Sequence, residues 1–309
     1  MTLTTERRLA TPPPPAGPVE MPPTGPTDDV WVIEPRGHSL KSRVAELWRY
    51  RGLFRYFAVQ SIQGMYARTF IGKSWLFLRP IIPLAISTLF FHSLIGIQTG
   101  GTPYFLFLLI STSIWELCER TALTSMRSMF AGRRLLRKLY FPRIILPLSF
   151  TAAPLAILGV HLLLVVPVTI YFWVTGGRFP LALGPNTLLC LPAVLLSLLC
   201  GLVIGLPCSV IGSEKRDLRF GVRTMFRFWF FLTPVVYPLS LMQGKMRVLA
   251  IVNPMTPAVE LFRQGLLGTT DDLSILGPAI ACSLVVLAVG LTFSVWFFLR
   301  AEAAAVDRV

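Results

Sequence analysis

The chain has 309 residues, 54% hydrophobic and only 14% charged, against a charged share of about a quarter in soluble globular domains. With a mean hydropathy of +0.65, that is too little charge to cover a soluble surface, and the same figures exclude collagen, a coiled coil and a disulfide scaffold. The formal net charge of +14 collects in particular connections, so position decides its meaning and nucleic acid is not an expected partner.

Residues 1–39 form a proline-rich tail holding Pro12 to Pro15, Pro18, Pro22, Pro23 and Pro26, with almost nothing to bury. The composition predicts a disordered or polyproline cytoplasmic segment, without the apolar h-region of a secretory signal. Over 40–72, Val44, Leu47, Trp48, Leu53, Phe54, Phe57 and Ile62 interleave with Lys41, Arg43, Arg49, Arg51, Arg55 and Arg68. That pattern predicts an amphipathic helix in the membrane interface, with a soluble bundle helix as the alternative.

The region 73–300 reads as a transmembrane domain, and 301–309 as a short cytoplasmic tail. A spanning helix needs about 20 apolar residues, and six stretches qualify: Trp75–Ile97, Tyr104–Met126, Ile144–Val174, Leu188–Gly212, Phe220–Tyr237 and Ile275–Leu299. The third is overlong and contains Pro147, Pro154 and Pro167. The fifth opens with Arg223 and Arg227. Lys and Arg cluster in alternate connections, including Arg127 to Arg143 and Lys215 to Arg219, while the opposite side carries few. By the positive-inside rule both termini are cytoplasmic. The external connection from Pro238 to Ser274 is long yet apolar, which predicts short re-entrant helices near Leu239–Met242 and Pro257–Leu267.

Enzyme motifs are nearly absent. The sequence has no HExxH, no GxSxG with plausible partners, and only Asp271-Asp272 as an external acidic pair. No GxxxxGK[ST] loop occurs, so any ATP must be bound by another polypeptide. His92 and His161 lie in predicted spans, where bonding to a neighbouring helix is the ordinary role. The five cysteines, Cys118, Cys190, Cys200, Cys208 and Cys282, make no CxxC pair and read as packing residues.

Two features of the spans carry more. Glu116, Glu119 and Arg120 are ionisable groups at membrane depth, with Glu116 and Arg120 on one helical face. They form either an internal ion pair or part of a polar pathway. Gly201, Gly205 and Ser209 recur every fourth residue, a pattern for close helix packing within the chain or across a dimer. On the cytoplasmic side, Arg133, Arg134, Arg137 and Lys138 alternate with Leu135, Leu136, Leu139, Tyr140 and Phe141. Charge alone does not explain those apolar residues, so the stretch reads as a docking helix for a cytosolic protein.

Several strings in order resemble the ABC-2 type polysaccharide export permeases. They are YARTFIGKSW from Tyr66 to Trp75 followed by Arg79-Pro80; LLRKLYFPR from Leu135 to Arg143; Arg216-Asp217-Leu218; TPVVYP from Thr233 to Pro238; and NPMTP from Asn253 to Pro257, continuing to Glu260 and Arg263. The match runs from about residue 40 to 300. Gln60-Ser61-Ile62 replaces an Arg-Asp pair common in relatives, and Ala67 departs from the usual motif.

The resemblance implies an all-α polytopic protein of the bacterial inner membrane with six transmembrane helices, an interface helix, and external re-entrant helices between the fifth and sixth. It implies a homodimer forming a channel over two copies of a separate ATPase, which binds ATP and Mg, with no cofactor in this chain. Residues Arg133–Phe141 and Arg216–Leu218 would couple to that ATPase. Phe90, Phe91, Tyr104, Trp115, Glu116, Glu119, Arg120 and Phe231 would line the channel, since sugar faces pack on aromatic rings. Arg51, Arg55, Arg68, Lys73 and Arg79 would meet a lipid phosphate at the entrance, competing with ordinary membrane lipids for the same charges. Tyr237, Asn253, Pro254, Glu260 and Arg263 would form the external gate. The cargo would be a lipid-linked polysaccharide such as an O-antigen, capsule or teichoic-acid chain. An ABC-2 drug or lipid exporter is the alternative, and a secondary transporter a more distant one.

Overall fold

A computed structural model describes residues 48–64, 75–97, 99–136, 141–177, 179–182, 184–211, 216–269 and 273–306. Among the described residues all regular structure is helical. The elements are α1 (Arg51–Gln63), α2 (Trp75–Thr88), α3 (Tyr104–Leu136), α4 (Ile145–Ser149), α5 (Ala152–Gly176), α6 (Cys190–Ile211), α7 (Arg216–Leu232), α8 (Lys245–Val252), α9 (Thr256–Leu267) and α10 (Leu273–Val306). A π-helical turn, Leu89–Leu94, prolongs α2, and a 3₁₀ turn, Pro185–Leu189, leads into α6.

Four helical stretches are long and apolar enough to cross a membrane: Phe77–Leu94, Ile145–Gly176, Pro185–Ile211 and Ser274–Ala301. They correspond to the first, third, fourth and sixth predicted spans. The second and fifth differ in kind. Helix α3 is a single rod of 33 residues that runs ten residues beyond Met126 to Leu136 and carries Glu116, Glu119 and Arg120. Helix α7 has 17 residues, ends at Leu232 rather than Tyr237, and has arginines along one side. The third predicted span is broken at Phe150 and Thr151 into α4 and α5. Pro147 and Pro154, which cannot donate the backbone hydrogen bonds of a continuous helix, flank that break.

Helix α3 is the core. Leu106, Leu109, Ile110, Ile114, Leu117, Cys118, Ala122 and Met126 are buried along it. Lipid offers apolar side chains no advantage over water-free protein, so helices associate through close backbone approach. Helix α6 supplies that approach: a Cβ on Gly201 would lie 2.6 Å from the Cys118 carbonyl, and one on Gly205 would lie 2.8 Å from Ser125 Cβ. Ser197 Oγ donates to the Ile114 carbonyl at 2.8 Å across the same seam. The small-residue stripe therefore packs within the chain. The opposite side of α6 meets α10, where Ser294 Oγ donates to the Val203 carbonyl at 2.7 Å.

Helix α1 lies against α4 and the start of α5. Its Phe57 is buried with Phe141, Ile145 and Leu146, while Trp48, Phe54, Tyr56, Val59 and Ile62 remain exposed. One apolar face of α1 thus packs on the protein while another stays exposed. At the other end of the bundle, α8 and α9 occupy the long connection after α7. Short helices occur at both places the sequence suggested, Leu239–Leu241 and Thr256–Leu267, and α8 between them is an additional one. Helix α9 is buried along nearly its whole length, with Gly265 so close to Cys190 that a Cβ would sit 2.6 Å from its Sγ.

Candidate functional site

The polar residues of α3 gather opposite α2 and α7. One carboxylate oxygen of Glu116, Oε2, receives two donors from Arg120, Nε and a terminal nitrogen, both at 2.6 Å, one helical turn apart. Both side chains are about a quarter exposed, 28% and 22%, so the pair sits at a wall rather than in the core. Glu119 lies beside them, within electrostatic reach of Glu116, Arg120, Arg223 from α7 and Arg79 from α2. The buried His161 of α5 faces Glu116 and Arg120. Three helices, α2, α3 and α7, thus bring ionised groups within electrostatic reach of one another.

The arginines of α7 explain its amphipathic character. Arg216, Arg219, Arg223 and Arg227 follow at spacings of three and four, which places them along one side. The adjacent face, with Val222, Phe226 and Trp229, packs on α3: Trp115 meets Phe226, Trp229 and Phe230 edge-to-face at centroid distances of 6.0, 5.4 and 5.8 Å. Trp115 is therefore a buried anchor between α3 and α7. Tyr104 is likewise buried, stacked on His92 at 5.5 Å and donating its hydroxyl to the Val236 carbonyl at 2.6 Å. Of the expected channel aromatics, Phe90 and Phe231 are exposed and Phe91 is half-buried.

The proposed entrance residues separate. Arg51 and Arg55 are exposed on α1, Arg51 over the Trp48 ring at 5.9 Å. Arg55 lines a shallow groove with Gly52, Tyr56, Val59, Gln60 and Gln63. Arg79 is exposed on α2, within electrostatic reach of Glu119. Arg68 and Lys73 lie outside the described residues.

Of the docking stretch, Arg133 is exposed at the end of α3, and Leu135 and Leu136 are half-buried against the Phe57 cluster. Phe141 is buried, its ring 6.1 Å from Phe57. Arg137, Lys138, Leu139 and Tyr140, and the side chain of Arg134, lie outside the described residues. At the second docking stretch Asp217 is exposed and Leu218 is half-buried against the main core. The Arg216 side chain lies outside the described residues.

The residues between the end of α7 and α9 form a dense polar knot. Asn253 Oδ1 accepts from Trp229 Nε1 and from the Met255 amide, both at 3.0 Å, and its Nδ2 donates to Thr233 Oγ1 at 2.8 Å. Pro254 follows at the turn into α9. Tyr237 donates its hydroxyl to the Phe231 carbonyl at 2.8 Å. Glu260 and Arg263 form a buried ion pair, and the Arg263 guanidinium lies 4.4 Å from the Phe107 ring centroid. Sequence reasoning named Glu260 and Arg263 but gave no sign of Phe107 beneath them. It also missed that Arg127, Arg219 and Arg223 stand within electrostatic reach of one another; the spacing on α7 was the available signal.

The family of ABC-2 type transporters matches residues 52–267. The O-antigen export system permease protein RfbA of Myxococcus xanthus is 30% identical over 215 residues, covering 69% of this chain and 79% of that protein. Two O-antigen export system permease proteins RfbA of Klebsiella pneumoniae are 25% and 22% identical, each over 67% of this chain and 79% of their own length. The charged residues of α2, α3 and α7 named above, and the polar knot from Asn253 to Arg263, fall inside the matched span. With its apolar spanning helices and this match, the chain belongs to the ABC-2 type transporter family.

Proposed function

We propose that this chain is the permease subunit of an ATP-driven exporter that moves a polysaccharide or lipid-linked glycan across the inner membrane, through a channel completed by a second copy. The observation that carries this reading is the arrangement of α2 and α7 around the charged cluster. Both helices turn large apolar side chains outward, among them Ile82 and Ile86 on α2 and Phe220 and Phe228 on α7, the last two 74% and 69% exposed. Between them lies the half-open wall of Glu116, Glu119 and Arg120. A second protomer closing on those faces would enclose a conduit that is charged and aromatic, as a hydrated sugar chain requires. The similarity to permeases named for O-antigen export supports the same cargo class.

In this reading α3 and α7 span with the four apolar helices, making six, and both termini are cytoplasmic. Helices α8 and α9 re-enter from the outside and gate the exit. Two ATPase subunits, which hold ATP and Mg, press on Arg133–Phe141 and Arg216–Leu218. Their closure biases two states of the bundle, as any coupling of nucleotide to transport requires. The test is co-purification of the chain with its cognate ATPase, followed by reconstitution in liposomes. ATP-dependent appearance of a lipid-linked glycan in the opposite leaflet is the expected result. A chain that binds no ATPase, or that moves glycan without one, overturns the reading.

A further inference from the structure

Helix α2 is poorly held by the rest of the protein. Among the described side chains of α2 and the π turn that prolongs it, Leu84 alone is buried. Pro80 and Pro83 interrupt its hydrogen bonding, and at its end the ladder widens, with the Ile95 N–H donating to the Phe90 carbonyl at 3.2 Å. Between this helix and α5 lies an open-sided groove of 610 Å³. Ala85, Leu89 and Ser93 line it from α2 and its π turn, Phe105 from α3, and Val168 and Tyr171 from α5. Pro167 also lines it, so both helices lose a regular hydrogen-bond ladder at the groove.

This lining offers water little. Among the described residues that form it none is charged, and the Thr88 hydroxyl already donates to the Leu84 carbonyl at 2.8 Å. A water molecule needs about two to four polar partners, and an empty groove would leave its walls without dispersion contacts on one side. Both walls belong to stretches long and apolar enough to cross a membrane, Phe77–Leu94 and Ile145–Gly176. On α5 the adjoining face carries Leu163, Val166 and Ile170, all exposed, so the groove continues a surface suited to lipid. Its volume falls within the range of about 300–1,000 Å³ that buries a small ligand.

We propose that the groove binds one acyl chain of a bilayer phospholipid, from the leaflet at the π-turn end of α2. The chain supplies the packing that the protein does not give α2, and it sets the distance of α2 from α5. Ser93 and Tyr171, near the ends of their helices, mark the headgroup end, as tyrosine does at membrane interfaces. The site goes beyond the export reading and does not rest on it.

The experiment uses the full chain in nanodiscs of phosphatidylcholine, a small share of which carries a diazirine on one acyl chain. After irradiation, adducts are mapped by mass spectrometry of the digested protein. Labelling of Leu89, Ser93 and Tyr171 is expected to exceed several-fold that of Leu284, Val285 and Val289, which are similarly exposed on α10. Ala85→Phe and Val168→Phe, which fill the groove, should each abolish the excess, and Ala288→Phe at an exposed position of α10 should leave it intact. Stripping lipid with detergent should lower the thermal midpoint of the wild type, and lower it less in Ala85→Phe, whose ring takes the place of the chain. Labelling in proportion to exposure on α2, α5 and α10 alike overturns the site, as does an excess that survives both groove-filling variants. A groove left unlabelled while α10 is labelled assigns its cover to a second copy or another protein, and overturns the lipid site as well.

Discussion

The indole of Trp229 donates a 3.0 Å hydrogen bond to Asn253 Oδ1, and through it the end of α7 is fastened to the start of α9. The same side chain caps the turn at Met255 and holds Thr233, so one amide fixes where α8 and α9 leave the bundle. Asn253→Ala strands the part-buried indole N–H of Trp229 and the buried Met255 N–H together. A destabilisation of about 2 kcal/mol is expected, with the loss of each buried partner contributing 1–3 kcal/mol. Thermal unfolding in detergent measures it, and Asn253→Asp, which keeps the Oδ1 acceptor, should lose less.

Close contact between α3 and α6 makes Gly201 intolerant of any side chain. Its Cβ would meet a backbone carbonyl at 2.6 Å, which has no rotamer to yield. Gly201→Ala should therefore destabilise by at least about 1–3 kcal/mol, the scale of overpacking in a tight core. Gly159→Ala, where a Cβ meets nothing within 4 Å, serves as the control and should leave the melting temperature within a degree or two. Equal effects at the two sites would show that the α3–α6 seam is not packed as described.

Glu260 and Arg263 are both buried, so neither can lose its partner without leaving a charge in the protein interior. Arg263→Ala or Glu260→Ala alone should cost about 3–5 kcal/mol, more than replacing both with apolar residues of similar size. Arg263 has the further contact with the Phe107 ring, worth about 2 kcal/mol where water is excluded. Unfolding of the single variants, the double variant Glu260→Leu/Arg263→Met and Phe107→Leu separates the two contributions.

Charge reversal at Arg137 and Lys138 should abolish capture of the ATPase while the chain still inserts in the membrane. Pull-down of the ATPase together with membrane fractionation measures both. Undiminished capture would take this stretch out of the docking surface.

Glu116→Gln removes the negative charge that Arg120 meets with two 2.6 Å contacts while leaving an amide oxygen to accept from it. The expected outcome is loss of transport at nearly unchanged thermal stability, since the pair is partly exposed and such pairs contribute about 1 kcal/mol or less. A variant with wild-type flux would remove Glu116 from the conduit.

The chain's class was legible in its sequence because solvation acts on each segment separately. Apolar length decides which stretches can sit in lipid, and four of the six predicted stretches recur as apolar helices long enough to cross a membrane. The local patterns were legible for the same reason: the Glu116–Arg120 pair is one helical turn long, and the Gly201, Gly205, Ser209 stripe is a property of one helix. What those patterns would meet was settled only by the tertiary structure. The stripe turned toward Cys118 and Ser125 on α3, Trp115 and Tyr104 went into the core, and Arg79 came within electrostatic reach of Glu119 instead of joining the α1 surface. Contacts between residues far apart in sequence depend on how whole helices rotate against one another, and that rotation is set by the summed packing of every face at once.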